Sequence, residues 1–417
     1  MNKNKIVTYI FILVIFYFQI HSIYLSLKSK IYPNDINKNN HKSIQWEKLY
    51  PFSTKSNIKV NIYNFIENIN NKIKGSIKHA EKFFNTNIPN RYKICEVQMA
   101  FEKILGKNLF IEFDRLVVLN NGYLDFVKKK YDYSHAVNNT FKLFDFLSNL
   151  KIDFVFAVYP SKISKFDNQL PKGLIDNVNI MCDDFINILN NKNIKTLDLR
   201  ENAKKEYKSQ YDMFFKTDHH WKPSAGLWAA KEISFYLNNK LKWKINTSLF
   251  ERNKYSITTI ANLFLGSQGK KITLSYTKPD NFEIIEPLFF TNFQRICPEL
   301  ENINGSFRNV MLFEKYIKYD YYTCHPYAFY LGDDMAYLRL INNSDYAYNK
   351  KVLLIKDSFN LVVAPFLALG IKDLTLLDTR YFTGSVRTFI EKEKYDLVLV
   401  AYNASVAPSR SDLYNFD

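Results

Sequence analysis

Cysteine is scarce in this chain, and its few cysteines stand far apart. The 417 residues include four, Cys95, Cys182, Cys297 and Cys324, and no two of them form a Cys-x-x-Cys pair. A zinc ribbon or a thioredoxin-type redox site is built on such pairs. The cysteine pattern therefore argues against both kinds of site, and it leaves open whether the thiols are free or joined in disulfides.

The chain also lacks a cluster of basic residues, although its net charge is +16. Lysine far outnumbers arginine, and the lysines are spread evenly along the sequence. A nucleic-acid-binding protein usually concentrates its basic side chains on one face or arm. We therefore expect no nucleic-acid partner, and at most a weak attraction to an anionic envelope or membrane surface. A hydrophobic content of 47% excludes a disordered chain.

One long uncharged run is present, at the N-terminus. Residues 6–27 carry no charge, and the first half of this run is almost entirely bulky and apolar. A membrane-spanning helix needs ~20 such residues. Because no small-x-small cleavage site follows the apolar core, an uncleaved signal anchor is favoured over a cleaved secretory signal. Residues 1–31 are thus predicted to be a single-pass anchor in the cell membrane, and either alternative places the rest of the chain outside the cytoplasm.

The remaining sequence divides into a polar stretch and a folded domain. Residues 32–108 are rich in Asn and Lys and are predicted to form a stalk with leading helices, and residues 109–417 are predicted to form the domain. A hairpin is expected over 109–126, where Asn120, Asn121 and Gly122 favour a tight turn. Residues 240–343 are aromatic-rich and irregular in pattern, which suggests an insertion that shapes a pocket.

Buried strands alternate with helices on both sides of that insertion. The predicted strands are 153–159, 195–199, 352–355, 374–377 and 397–402, and the predicted helices are 173–190, 223–237, 359–369 and 385–393. Near-continuous apolar strands that alternate with helices are typical of a parallel sheet covered on both faces. The expected fold is therefore α/β with three layers and a central parallel sheet.

Two histidines stand side by side in the segment from Thr217 to Trp221. The chain has only seven histidines, and this pair directly follows Asp218. A general base with an orienting group needs at least an imidazole and a neighbouring carboxylate. A helix cap, surface histidines and a metal site are the alternatives.

A serine lies where such a base would need it. Ser358 follows the predicted strand 352–355 and precedes a helix, so it is expected at the sheet edge, where backbone N–H groups can stabilise an oxyanion. His220 would take the proton of Ser358, and Asp218 would hold the imidazole in the useful tautomer. The alternative is that Ser358 is only a helix N-cap.

A metal site is not expected. Asp218, His219 and His220 are residue types that commonly bind metal ions. However, the only further acidic pairs are Asp183–Asp184 and Asp333–Asp334, and acidic pairs are frequent by chance.

The spaced motifs resemble those of the DHHW family, which is related to the SGNH-hydrolase-like proteins that O-acetylate alginate. They are Thr-Asp-His-His-Trp (217–221), Lys-Pro-Ser-Ala-Gly (222–226), Leu-Gly-Ser-x-Gly (265–269) and Lys-Asp-Ser-Phe (356–359). The resemblance spans roughly residues 109–403 and implies an SGNH-hydrolase-like fold. It places the catalytic aspartate, histidine and serine on Asp218, His220 and Ser358. His219 falls on a variable position.

The resemblance implies further pocket residues and one departure. The substrate-binding candidates are Tyr159, Lys162, Trp221, Arg380, Tyr402 and Asn403. The alternatives are a core position for Tyr159, solvated side chains for Lys162 and Arg380, and a turn position for Asn403. The hydrolase consensus has glycine directly before the Asp-Ser pair, whereas this chain has Lys356. A lysine there would crowd the acyl site or change its charge, which puts ordinary esterase activity in doubt.

The function that the resemblance implies is an O-acyltransferase, acetylating hydroxyls of a cell-surface polysaccharide through an acyl-serine. No cofactor is expected, and the acyl donor would come from a partner, a multispanning membrane acyltransferase. The alternatives are a carbohydrate esterase, a non-catalytic polysaccharide-binding or assembly subunit, and a metal phosphoesterase that uses the Asp-His-His cluster.

Overall fold

The computed structural model describes residues 91–417 of the chain. The predicted membrane anchor and the predicted stalk up to residue 90 lie outside the described residues. Within residues 91–417, no helix is both long enough and apolar enough to cross a membrane. The chain divides into two units, one that ends at Lys107 and one that spans Asn108–Asp417. The described part of the first unit contains helix α1 (Arg91–Ile104).

The strands of the second unit are, in chain order, β1 (Leu109–Phe110), β2 (Leu116–Val118), β3 (Leu124–Phe126), β4 (Asp153–Tyr159), β5 (Lys195–Asp198), β6 (Tyr255–Phe264), β7 (Asp280–Pro287), β8 (Phe293–Ile296), β9 (Ile303–Gly305), β10 (Tyr337–Asn342), β11 (Tyr348–Lys356), β12 (Ile371–Leu377) and β13 (Leu397–Asn403). Its helices are α2 (Ser134–Asn149), α3 (Asn177–Asn191), α4 (Leu199–Glu206), α5 (Pro223–Leu241), α6 (Ser267–Tyr276), α7 (Phe307–Met311), α8 (Ala364–Gly370) and α9 (Val386–Glu393).

The hairpin predicted at the start of this unit is confirmed. Strands β1, β2 and β3 form a small antiparallel sheet. In the turn between β2 and β3, the Gly122 N–H donates to the Leu119 carbonyl over 2.8 Å. Gly122 has a φ of +80°, a conformation that glycine adopts without steric strain.

The central sheet has eight strands in the order β5-β4-β13-β11-β12-β10-β8-β9. The first five are parallel to one another, as predicted. The last three run antiparallel to their neighbours, so the expectation of a purely parallel sheet is corrected to a mixed one. The physical difference is visible in burial: β13 is buried throughout, whereas β10 alternates between buried and half-buried residues. Such alternation suits an antiparallel strand with one less covered face.

The stretch predicted to be an irregular insertion is largely regular. Residues 240–343 contain the antiparallel pair β6 and β7, the helices α6 and α7, and the strands β8, β9 and β10 that extend the central sheet. Part of this stretch therefore extends the central sheet, and the rest of it covers the sheet.

Helices cover both faces of the parallel strands and complete three layers. Alternate residues of β4 point to opposite faces, as the pleat of a strand requires. Val155 and Ala157 pack in the core that contains the buried side of α5 and α8, and Phe154 and Phe156 pack in the core that contains the buried sides of α2, α3 and α9. The carboxyl ends of β11, β12 and β13 meet at one edge of the sheet, where sites form in parallel α/β folds.

Candidate active site

The segment from Thr217 to Trp221 is anchored at its start by one carboxylate. Asp280, the first residue of β7, accepts hydrogen bonds from the Lys216 N–H (2.7 Å), the Thr217 N–H (2.8 Å) and the Thr217 hydroxyl (2.6 Å). Thr217 is fully buried. The Leu124 N–H of β3 also donates to the Lys216 carbonyl over 2.9 Å, and Trp221 pairs with Phe214 in an isolated antiparallel bridge, so contacts from several elements hold this segment in place.

A second loop, which carries the Leu-Gly-Ser-x-Gly motif, packs against the same segment. A Cβ on Gly266 would lie 2.2 Å from the Cβ of Asp218, and one on Gly269 would lie 2.8 Å from the Cβ of Thr217. Only glycine permits this approach. The approach lets the Ser267 N–H donate to Asp218 Oδ2 over 2.6 Å. The motif glycines therefore serve to orient Asp218.

Asp218, His220 and Ser358 form a continuous hydrogen-bonded line. His220 Nδ1 lies 2.6 Å from Asp218 Oδ1, and His220 Nε2 lies 2.7 Å from Ser358 Oγ. Burial opposes the charge of Asp218, but the adjacent imidazoles and the hydrogen bond from His220 outweigh it and hold the pKa of this carboxyl well below its ordinary value. With Asp218 ionised, Nδ1–H of His220 donates to it and Nε2 accepts from the Ser358 hydroxyl. This is the arrangement of a nucleophile, a general base and an orienting carboxylate.

Ser358 is not the N-cap of the turn that follows β11. Asp357 caps it instead: its Oδ1 accepts from the Phe359 N–H over 3.0 Å, and its Oδ2 accepts from the Asn403 N–H over 2.6 Å. Burial raises the pKa of Asp357 to about 6. Since Asp357 takes the capping role, the Ser358 hydroxyl is directed to His220. Asn403 is buried and holds Asp357, which makes it a part of the scaffold of this turn.

Two other predicted pocket residues also lie beneath the serine turn. The Trp221 indole N–H donates to the Phe359 carbonyl over 3.1 Å, and the Tyr159 hydroxyl donates to Asn360 Oδ1 over 2.6 Å. The rings of Trp221 and Tyr159 lie 4.7 Å apart, and both side chains are fully buried. A fully buried side chain does not reach a polymer in solvent. We therefore interpret both as supports of the turn.

The Lys-Pro-Ser-Ala-Gly motif has a packing explanation. Gly226 lies in the first turns of α5, and a Cβ there would come within 2.2 Å of the Val362 carbonyl oxygen. The glycine lets α5 contact the backbone directly after the serine turn. The histidine loop and the serine turn are thus joined at a second point, beyond the Trp221 hydrogen bond.

The side chains of Lys162 and Tyr402 donate hydrogen bonds to residues outside the turn that carries Ser358. The Lys162 ammonium is buried and donates to the Leu124 carbonyl (2.6 Å) and to Gln268 Oε1 (2.9 Å), and burial lowers the pKa of Lys162 to about 8. Tyr402 belongs to the core on the α2 and α3 face and donates to the Leu413 carbonyl over 2.7 Å. Neither residue lines an open crevice in this structure.

Lys356 and Arg380 share two aspartates in a network of four charges, in which Lys356 and Asp378 are buried and Asp334 and Arg380 are half-buried. The Lys356 ammonium contacts Asp334 and lies 3.0 Å from Asp378 Oδ2. The Arg380 guanidinium lies 2.8 Å from Asp334 Oδ2 and 2.5 Å from Asp378 Oδ2. The two positive and two negative charges balance. The lysine at the glycine position is therefore neutralised by its neighbours, and Arg380 is held at the end of β12 with its side chain 17% exposed.

Two residues that the sequence analysis did not identify complete the site. The Tyr327 ring stacks on the His220 imidazole, with centroids 4.0 Å apart and planes 15° apart. Burial, with Asp218 nearby, raises the pKa of Tyr327 well above its ordinary value, so the ring stays neutral. His325 is near Tyr327, and its Nδ1 is buried without a hydrogen-bond partner among residues 91–417. Both come from the aromatic-rich stretch, in which no spacing sets them apart.

His219 occupies a different position from His220. Its side chain is 39% exposed, and its Nδ1 lies 3.2 Å from Ser267 Oγ and 3.5 Å from Asp218 Oδ1. In the described part of the chain, Asp218, His219 and His220 are the one group of three residues close enough to share an ion. Both oxygens of Asp218 already accept hydrogen bonds, and both nitrogens of His220 are engaged. An ion bound by all three would have to break the line from Asp218 to Ser358.

Comparison with known proteins places these features in a family context. The family described as the SGNH hydrolase-like domain of the acetyltransferase AlgX matches residues 132–259, which include Asp218 and His220 but end before Ser358. No curated protein gives a significant match to the whole sequence.

The solved structures that share the fold include a Bacillus cereus protein and a DHHW family protein. Bacillus cereus PatB1, determined with a sulfonyl adduct, superposes with a TM-score of 0.59 at 21% identity over 73% of this chain and 99% of that chain. A DHHW family protein from Eubacterium siraeum superposes with a TM-score of 0.55 at 17% identity over 72% of this chain and 93% of that one. The resemblance inferred from the motifs is thereby confirmed: the chain is similar to the DHHW family and to the SGNH hydrolase-like acetyltransferases.

Proposed function

We propose that this chain is an extracytoplasmic O-acyltransferase that acetylates hydroxyls of a cell-surface polysaccharide. The observation that carries the proposal is the line of hydrogen bonds from Asp218 through His220 to Ser358, at 2.6 Å and 2.7 Å. The match of residues 132–259 to the domain of an acetyltransferase supports the choice of acyl transfer. The N-terminal anchor and the polysaccharide acceptor are parts of the proposal that come from the sequence.

The first half of the reaction forms an acyl-serine. His220 Nε2 takes the proton from Ser358 Oγ as this oxygen attacks the carbonyl carbon of an acyl donor. The resulting oxyanion needs a donor, and the Ser358 backbone N–H has no acceptor of its own within the described chain. When the tetrahedral intermediate collapses, His220 gives its proton to the leaving group of the donor.

The second half transfers the acyl group to a sugar. A sugar hydroxyl loses its proton to His220 and attacks the acyl carbon, and the bond to Ser358 Oγ breaks. The proton then returns to Ser358 Oγ, which restores the starting state. Asp218 stays ionised throughout and stabilises the imidazolium that forms in each half. These two half-reactions require no cofactor. We propose that a multispanning membrane acyltransferase delivers the acyl donor.

The core of the proposal is tested by trapping the nucleophile. A sulfonyl fluoride should add one sulfonyl group to the wild-type protein, and peptide mass spectrometry should locate it on Ser358. PatB1, which shares the fold, carries a sulfonyl adduct, which motivates this probe. Ser358→Ala and His220→Asn should lose the adduct. His219→Asn is the matched control for the second change and should keep it. A folded wild-type protein that takes up no adduct, or takes it up elsewhere, would refute a nucleophilic Ser358.

A carbohydrate esterase is the second candidate, and one observation favours keeping it. Lys356, whose presence argued against hydrolysis, is neutralised by Asp334 and Asp378, so its charge does not exclude water from the acyl-serine. A chromogenic acetyl ester, supplied with and without an acceptor oligosaccharide, separates the two activities. An acetylated sugar identifies the transferase, and free acetate alone identifies the esterase.

A further inference from the structure

A groove lies at the end of the sheet opposite the candidate active site. It encloses about 720 Å³ and is lined by three loops, residues 246–254, 288–290 and 343–346. The last of these loops directly precedes β11, and Ser358 follows the other end of the same strand. With nine residues at ~3.3 Å each, β11 separates the groove from Ser358 by roughly 30 Å.

The floor of the groove is aromatic and fixed. Phe289 contacts Tyr346 edge to face, with centroids 5.7 Å apart, and the Tyr346 hydroxyl donates to the Phe290 carbonyl over 3.0 Å. Two large apolar side chains stand beside this floor in solvent: Leu288 is 70% exposed and Phe290 is 77% exposed. The groove thus combines a fixed aromatic floor with exposed apolar side chains at its side, which is a surface suited to binding a ligand.

The rim of the groove carries neutral hydrogen-bonding groups. Three exposed amides, those of Asn246, Asn253 and Asn343, surround the floor. Two charges of opposite sign accompany them, Asp345 and Lys254, and the Lys254 ammonium donates to the Ser248 hydroxyl over 3.1 Å. The rim thus has no net charge, which disfavours a phospholipid surface or a nucleic acid, both of which select clustered cations.

Aromatic faces beside amide side chains suit a ligand with apolar ring faces and many hydroxyls. The C–H face of a pyranose ring packs on an aromatic ring, and amides donate to and accept from its hydroxyls. We infer that this groove is a second glycan-binding site, which holds a distal part of the polymer whose acetylated sugar lies at Ser358. This inference rests on the proposed function, because it requires a polymeric acceptor.

The experiment compares long and short acceptors. The probe is the de-O-acetylated surface polysaccharide of the producing strain, intact and as fragments too short to span from the groove to Ser358. Phe290→Ala should weaken binding of the intact polymer about tenfold, the loss that corresponds to ~1.4 kcal/mol of ring contact. Binding of short fragments at the active site should be unchanged. Asn253→Ala should act in the same direction, and Ile175→Ala, which removes a 51% exposed apolar side chain outside the groove, should have no effect.

Failure of this inference differs from failure of the proposed function. Sulfonyl labelling of Ser358 should be the same in wild type and Phe290→Ala, because the groove lies far from the serine. Unchanged polymer binding by Phe290→Ala would overturn the second site while leaving the labelling intact. Binding of neutral or anionic lipid vesicles that depends on Phe290, with no glycan binding, would also overturn it. Loss of labelling in the wild type would instead refute the active site itself.

Discussion

Replacing Lys356 by methionine should destabilise the protein through the charges it leaves behind. The lysine side chain is 2% exposed and is shared between Asp378, 0% exposed, and Asp334, 13% exposed. Removing one partner of a buried ion pair costs about 3–5 kcal/mol, because an uncompensated charge remains in a poorly solvated place. Since Arg380 still contacts both carboxylates, we expect the lower end of this range, about 3 kcal/mol.

The double variant Lys356→Met/Asp334→Asn makes the argument specific. It removes one charge of each sign and leaves the pair of Arg380 and Asp378 intact. Replacing both members of a buried pair is often nearly neutral, so its free energy of unfolding should lie within about 1 kcal/mol of wild type. Guanidinium denaturation of wild type, both single variants and the double variant gives the coupling energy. If Lys356→Met lost less than about 1 kcal/mol, or if the second change failed to restore stability, the buried-charge argument would be wrong.

Three further predictions concern the surroundings of the triad. Gly266→Ala should lower acyl-transfer activity at least ~10-fold, because its Cβ would come within 2.2 Å of the Asp218 Cβ and displace the orienting carboxylate; unchanged steady-state rates would contradict this. His219→Asn should reduce kcat less than ~10-fold, whereas His220→Asn should reduce it by ~10⁴-fold, and equal losses would mean that the two rings act together. Asp357→Asn should alter the pH dependence of stability. The raised pKa of Asp357 contributes stability that is complete below its ordinary pKa and is lost as pH rises through about 6, so the wild type should lose up to about 3 kcal/mol relative to the variant between about pH 4 and about pH 7. Parallel denaturation midpoints of the two proteins across this range would exclude that role.

The parallel strands and the residues of the hydrogen-bonded line from Asp218 to Ser358 could be predicted from the sequence because both rest on local patterns. Strand β4 has the predicted bounds and β13 extends one residue further, since a continuous apolar run of strand length between turns has few other solutions. Ser358 and His220 were found through their immediate neighbours in the chain. Their atoms lie 2.7 Å apart because Ser358 follows the carboxyl end of β11 and the His220 loop is held against that turn through Trp221 and Gly226.

What could not be predicted depends on contacts between distant segments. Tyr327 stacks on His220 from a stretch where aromatic residues are common, so nothing in its spacing distinguished it. Asp334 was considered only as half of an acidic pair, and its partners Lys356 and Arg380 come from other elements. The sequence of β10, Tyr-Leu-Arg-Leu-Ile-Asn, places apolar residues on both faces, so its alternating burial and its antiparallel pairing could not be predicted from the strand alone.

The position of β13 in the sheet determines when, during synthesis, the turn that carries Ser358 can complete its contacts. This strand, residues 397–403, lies between β4 and β11 and is the one element that joins the strand before Ser358 to the first strand of the sheet. During synthesis, the segments with Asp218, His220 and Ser358 therefore all emerge before β13, which fills the middle of the sheet. A chain that ends before residue 397 contains Asp218, His220 and Ser358, but it lacks the strand that joins β11 to β4 and the Asn403 N–H that donates to Asp357. The turn that carries Ser358 therefore completes its contacts only after residues 397–403 have joined the sheet.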